Sequence, residues 1–139
     1  KNCYVVEIDN DIYVFDCGLK YANENLYGID YIIPDFEYLI DNQDRIKGLF
    51  LTHGHDSNMG AVADILFDIP DLPVYGTKFT LEILKRDLEE NGIKATNIKE
   101  IRPHSKLTFG DLVIFPISVT HSIPDAVCFV LYTVSYNCQ

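Results

Sequence analysis

Apolar residues fall along this chain in two periods, and the switch between them outlines a fold. Near the start the runs are short and β-rich. Residues 3–8 and 12–15 flank Asp9-Asn10-Asp11, which predicts a hairpin. Asp16-Cys17-Gly18 closes the second strand, and the polar, Tyr- and Asn-rich stretch 19–30 reads as a loop. Residues 35–42 read as a short helix and 48–52 as a buried strand. From Met59 to Phe67 the period becomes helical, with Met59, Val62, Ala63 and Leu66 on one face. A strand over 73–76 is followed by a helix that Thr77 can cap, that runs to Asn91, and that Gly92 ends. Its expected apolar face is Phe79, Ile83, Leu84 and Leu88. Strands over 111–119 and 126–132 complete the pattern.

Paired strands followed by strands alternating with helices predict an α/β layered domain. At 139 residues the chain holds one domain's worth of core, and 47% hydrophobic content fits a folded protein. No apolar run approaches the ~20 residues that cross a bilayer, so no membrane association is expected. The opening residues carry a strand pattern rather than a signal peptide. Cys3, Cys17, Cys128 and Cys138 are widely spaced with no C-x-x-C, which leaves little room for a zinc knuckle. Cys3, Cys17 and Cys128 sit in apolar runs and read as small core residues, reduced in a cytoplasmic setting.

The candidate chemistry lies in Leu51-Thr52-His53-Gly54-His55-Asp56-Ser57-Asn58, directly after a strand. Histidines two apart in extended backbone point to the same side, so His53 and His55 can converge on one ion. His121 follows another strand-like run, in His121-Ser122-Ile123-Pro124-Asp125. Three imidazoles from two strand ends make a zinc site with an open fourth position. The bland reading is a set of loop histidines near strand ends. His104, in a polar stretch with no partner in sequence, reads as a surface residue.

The H-x-H spacing resembles the metallo-β-lactamase superfamily, whose signature is H-x-H-x-D-H with a later His. The strings Gly28-Ile29-Asp30-Tyr31-Ile32-Ile33-Pro34-Asp35-Phe36, Pro73-Val74-Tyr75-Gly76-Thr77 and the His121–Asp125 run, with the opening Lys1-Asn2-Cys3-Tyr4, narrow this to a resemblance to ribonuclease J proteins. The resemblance covers most of residues 1–133. It implies an αββα sandwich, of which this chain would be roughly the N-terminal half, without the β-CASP and C-terminal domains. Half a sandwich would leave an unpaired sheet edge, with a risk of aggregation or of pairing with another chain.

In that family the first two His and the later His hold one metal, and the Asp-His pair holds a second. Here Ser57 stands at the Asp position and Asn58 at the last His, with Asp56 one residue early. The damaged loop resembles a degenerate second paralogue. The resemblance therefore implies one metal ion at most, zinc or alternatively manganese, at His53, His55 and His121. Asp16 is either a supporting carboxylate for a ligand His, as the family places an Asp there, or a strand-end residue in an Asx turn with Gly18. Ser57 and Asn58 are poor zinc ligands. Both read best as caps of the following helix, with phosphate donation as the other reading. Ser122 reads as a turn hydroxyl or a phosphate contact, and Asp125 as a turn-shaping residue.

Charge bears on the partner. Eleven Lys and Arg against 21 Asp and Glu give a net charge of −10, which argues against this segment gripping RNA by itself. RNA would be held through other domains. Tyr21, Tyr27 and Tyr31 could stack on bases but read more simply as loop anchors. Three functions are in view. The first is a metal-dependent ribonuclease weakened by the altered loop. The second is a non-catalytic partner of an active ribonuclease J paralogue, or a homo-oligomer. Last comes a small-molecule hydrolase, away from which the ribonuclease J-like strings point.

Overall fold

The computed structural model describes residues 2–21 and 31–133, and everything that follows concerns those residues. Strands β1 (Tyr4–Ile8) and β2 (Asp11–Phe15) form the expected hairpin. Asp9 and Asn10 turn it with positive φ at both positions, 49° and 75°, the backbone that a two-residue turn between twisted strands requires. The 19–30 loop is bounded by a short ladder that the polar composition hid: β3 (Lys20–Tyr21) pairs with β4 (Tyr31–Ile32). The expected tyrosine grouping depends on Tyr27 and lies outside the described residues, as do residues 134–139.

Helix α1 (Glu37–Asp41) and a 3-10 turn lead into β5 (Ile46–Phe50). The helix expected from Met59 is two pieces, α2 (Asp56–Met59) and α3 (Val62–Asp68). They are parted where Ala61 donates its N–H to Cys17 O (2.9 Å). Strand β6 (Val74–Gly76) feeds α4 (Lys78–Glu90), which ends at Asn91 and a left-handed Gly92 (φ 66°). The buried face of α4 is Thr80, Leu81, Leu84 and Leu88. Phe79 and Ile83, expected on the same face, are half-buried. Strands β7 (Ile98–Glu100) and β8 (Leu107–Phe109) were not legible, being three residues long with polar neighbours. Strands β9 (Leu112–Ser118) and β10 (Val127–Thr133) fall where expected.

The strands form a five-stranded sheet, ordered β1-β2-β5-β6-β7, and a three-stranded sheet, β10-β9-β8. In the larger sheet β2, β5, β6 and β7 run parallel, which demands cover on both faces. Side-chain alternation supplies it. Ile12, Val14, Leu49, Leu51 and Val74 pack on Val62, Ile65 and Leu66 of α3 and on Leu81, Leu84 and Leu88 of α4. The alternate positions Tyr13, Phe15, Phe50 and Tyr75 pack on Leu112 and Ile114 of the smaller sheet. Phe50 stacks on Tyr75 (centroids 4.9 Å, 8°) and on Phe15 (5.2 Å, 23°), pairs of about 0.5–1.5 kcal/mol each beyond burial.

Helix layer, sheet and sheet are three of the layers expected of the sandwich. The outer row of β10, Cys128, Val130 and Tyr132, is exposed. Cys128, expected in the core, is thus on the surface, because strand alternation turns it outward beside Ile117. Cys17 is buried and Cys3 half-buried. Among the described residues no helix is long and apolar enough to cross a membrane.

Candidate metal centre

The site forms where β2 and β5 end side by side. Asp16 closes β2 with φ 62°, donating its N–H to Phe50 O (2.9 Å), and this left-handed step turns its carboxylate under the next strand end. Oδ1 accepts the Thr52 N–H (2.8 Å), and the Thr52 hydroxyl lies 3.0 and 2.8 Å from Oδ1 and Oδ2. Asn58 donates from Nδ2 to Oδ2 (2.9 Å). With these donors converging on it, the carboxylate is the acceptor throughout. Burial pushes the Asp16 carboxyl up from its ordinary range, while the hydrogen bonds from Thr52 and Asn58 pull it back down.

Thr52 has one hydroxyl proton, and Asp16 takes it. His53 Nδ1, 2.9 Å from the same oxygen, is then the donor. That fixes the ring as the Nδ1–H tautomer and leaves the lone pair on Nε2. His53 is half-buried, and burial lowers its pKa, with the neighbouring His121 and His55 adding to the effect. The neutral, ligating form is favoured.

His55 follows across Gly54. A Cβ on Gly54 would lie 2.6 Å from Ile83 Cδ1 and 3.3 Å from Ile123 Cδ1, so the turn between the two histidines is packed between α4 and the loop after β9. That loop brings in His121. Ring centroids are 4.9 Å apart for His53 and His55, 4.3 Å for His53 and His121, and 5.0 Å for His55 and His121. One nitrogen from each ring lies within 4.8 Å of the other two. A tetrahedral ion with bonds of about 2.1 Å separates its ligand nitrogens by about 3.4 Å, so small ring rotations close the set. Three neutral imidazoles are a donor set suited to zinc, and other divalent ions accept it. Ser122 Oγ sits at the mouth, 3.5 Å from His55 Nε2 and 3.3 Å from His121 Nδ1.

The remaining expected residues are arranged differently. Ser57 and Asn58 do not cap α2. His55 stands at its N-cap without a side-chain bond, the Ser57 hydroxyl donates to Asn58 Oδ1 (2.8 Å), and the buried Asn58 turns inward to Asp16. The capping expectation failed because an interior carboxylate competes for the amide. Asp16 forms no Asx turn with Gly18, whose N–H goes to Asn2 O (2.9 Å). Asp56 lies exposed in the first turn of α2, and among the described residues the cluster of possible ligands contains no carboxylate. His104 is exposed, as expected. Thr52 and Asp125 were undervalued in sequence. The only signal for Thr52 was a hydroxyl between a buried strand and a histidine.

No family model matches the chain. Among curated proteins it is 46% identical to Ribonuclease J2 of Bacillus subtilis (strain 168) over 128 residues, 91% of this chain. It is 37% identical to Ribonuclease J 2 of Staphylococcus aureus (strain NCTC 8325 / PS 47) over 134 residues, 96% of this chain. The chain belongs to the ribonuclease J family. As a ribonuclease J sequence it spans about a quarter of those relatives' length, 23% and 24%. Solved structures agree on its fold. A diphosphatase from the PhnP family superposes with a TM-score of 0.66 at 15% identity, over 93% of this chain and 48% of that one. The metallo-β-lactamase fold protein YhfI from Bacillus subtilis gives 0.62 at 17% identity, over 94% and 49%. This ribonuclease J segment therefore has a metallo-β-lactamase fold.

Proposed function

We propose that this chain is the metal-binding segment of a ribonuclease J-like protein of RNA processing and decay, acting by metal-dependent phosphodiester hydrolysis. The observation that carries the reading is the convergence of His53, His55 and His121 within 4.8 Å at the strand ends. The names of the relatives support the substrate class. One zinc ion, or manganese, is held by the three imidazoles. A bound divalent ion supplies Lewis-acid neutralisation of charge developing on phosphoryl oxygens. The chain's own residues do the rest. Asp16, through Thr52, holds His53 in the ligating tautomer, and Ser122 offers a hydroxyl at the open side. With Ser57 and Asn58 in place of the family's Asp and His, there is no two-metal clamp and activity is weak. The acidic segment leaves RNA to be gripped by other parts of a cytoplasmic protein.

One observation favours a second reading, a non-catalytic partner of an active paralogue. The Ser57–Asn58–Asp16 chain is satisfied within the protein, and no buried side-chain polar atom lacks a partner among the described residues.

Elemental mass spectrometry after chelator stripping and reloading with zinc or manganese tests the two. About one ion per chain, lost in His53→Ala, together with RNA cleavage by the full-length protein that disappears in His55→Ala, is expected. A wild-type protein that takes up no metal overturns the hydrolase reading and leaves the partner reading.

A further inference from the structure

The N-terminus of α4 is capped from outside its own sequence. Thr77 occupies the N-cap position with extended backbone (φ −71°, ψ 163°), yet it makes no side-chain cap. Its hydroxyl instead donates to Asp125 O (2.8 Å) and lies 3.2 Å from Thr80 Oγ1. The amide it would have served, Phe79 N–H in the first turn, donates to Asp125 Oδ2 (3.1 Å). One residue thus receives two bonds from one helix end, through its main-chain carbonyl and through its carboxylate. The carboxylate also meets the positive end of a 13-residue helix. Asp125 holds φ 65°, a left-handed backbone that Asp and Asn tolerate better than most residues.

Asp125 is four residues from His121 and belongs to the same loop. That loop is closed at its base by Val119 N–H to Ala126 O (3.1 Å), and Val127 N–H to Thr52 O (2.9 Å) joins it to the strand end carrying His53. At its middle Ile123 packs over Gly54 against Ile83 of α4. His53 and His55 follow the end of β5 at Phe50, and His121 lies within the loop that joins β9, ending at Ser118, to β10, starting at Val127. Beyond the Val119–Ala126 closure, the bonds to α4 tie down the outer part of that loop.

We infer that Asp125 is a positioning residue that holds His121 against His53 and His55 by clasping its loop to the N-terminus of α4. It touches neither the imidazoles nor a substrate and acts through the loop. The consequence for an ion rests on the metal-site reading proposed above; the ring placement does not.

The test uses two variants that both accept φ 65°. Asp125→Asn keeps an oxygen for Phe79 N–H, and Asp125→Gly removes it. In the full-length, metal-free protein, NMR cross-relaxation between the His121 and His53 rings is expected in wild type and Asp125→Asn and to vanish in Asp125→Gly. In cobalt(II) titrations followed by visible absorption, Asp125→Gly is expected to weaken binding about tenfold or more, the scale seen when an outer support of a ligand is removed, with Asp125→Asn close to wild type. If Asp125→Gly lowers Tm but keeps the ring contact and cobalt affinity, Asp125 is a helix cap only and the inference is overturned. If the wild type takes up no cobalt while Asp125→Gly still loses the ring contact, the metal reading fails and the positioning role stands.

Discussion

The floor and the rim of this site are built on opposite plans. In the floor Asp16, Thr52, Ser57 and Asn58 spend their side-chain polar groups on one another, and Asp16 and Asn58 are 4% and 6% exposed. At the rim three imidazoles crowd one point, half-buried to exposed, and the protein offers them one acceptor, the Thr52 hydroxyl oxygen, and a distant serine hydroxyl. A network closed on itself has no call for an ion. Converging lone pairs without a protein donor between them do. On the metal-site reading proposed above, this difference separates what the H-x-H loop would have lost from what it would keep: an amide at the second metal position, and three imidazoles at the first.

The comparison breaks most violently at Gly18. A Cβ there would lie 1.7 Å from Ser57 O and 2.2 Å from Ser57 C, main-chain atoms that cannot step aside. Gly18→Ala is expected to cost about 3 kcal/mol or more in urea unfolding, because the 56–61 segment must leave the strand end. A loss below about 1 kcal/mol would mean the floor is not rigid. Asp16→Ala strands the Thr52 amide and the Asn58 Nδ2 in the interior and is expected to cost about 2–4 kcal/mol. Thr52→Val keeps the shape and removes the hydroxyl that joins floor to rim, with its bonds to Asp16 and His53. A stability loss of about 1–2 kcal/mol should come with roughly tenfold weaker metal binding. Unchanged affinity would show that the rim does not depend on the floor. Ser57→Ala, at an exposed position, should stay within about 0.5 kcal/mol of wild type.

Protonation sharpens the contrast from the other side. His53 is expected to titrate below its ordinary 6.5, because burial and the two neighbouring imidazoles disfavour its charged form. The sign follows from the unfolded chain binding the proton first. The stability tied to neutral His53 is intact above the unfolded value and is lost as pH falls through the folded one. Ring-proton NMR across pH 4–8 measures the midpoint, and a value at or above the ordinary one would deny the rim its crowding.

Much of this was legible in the sequence because it is periodic or local. The hairpin at Asp9-Asn10, the helix stopped by Gly92 and the histidines two apart after a strand each follow from spacing over a few residues. The strands β7 and β8 were not legible, since three-residue strands carry too little alternation to register. The uses of Asn58 and Thr77, and what Asp125 does besides shaping its turn, escaped the sequence for a different reason. Local chemistry makes Asn58 and Thr77 helix caps and Asp125 a turn residue. Each is diverted by a partner that only the fold brings near: Asp16 for Asn58, and Thr77 with α4 for Asp125. Short-range preference ranked the options correctly but could not see the competitor.

The bonds that define the site span long stretches of chain, 42 residues from Asp16 to Asn58 and 48 from Thr77 to Asp125. Such closures come at the slow end of folding, since loop entropy must be surrendered before the contact repays it. During synthesis the H-x-H pair leaves the ribosome well before His121 does, and two histidines alone make a weak ligand set. On the metal-site reading, an ion would find its full set of three ligands only once the His121 loop has closed.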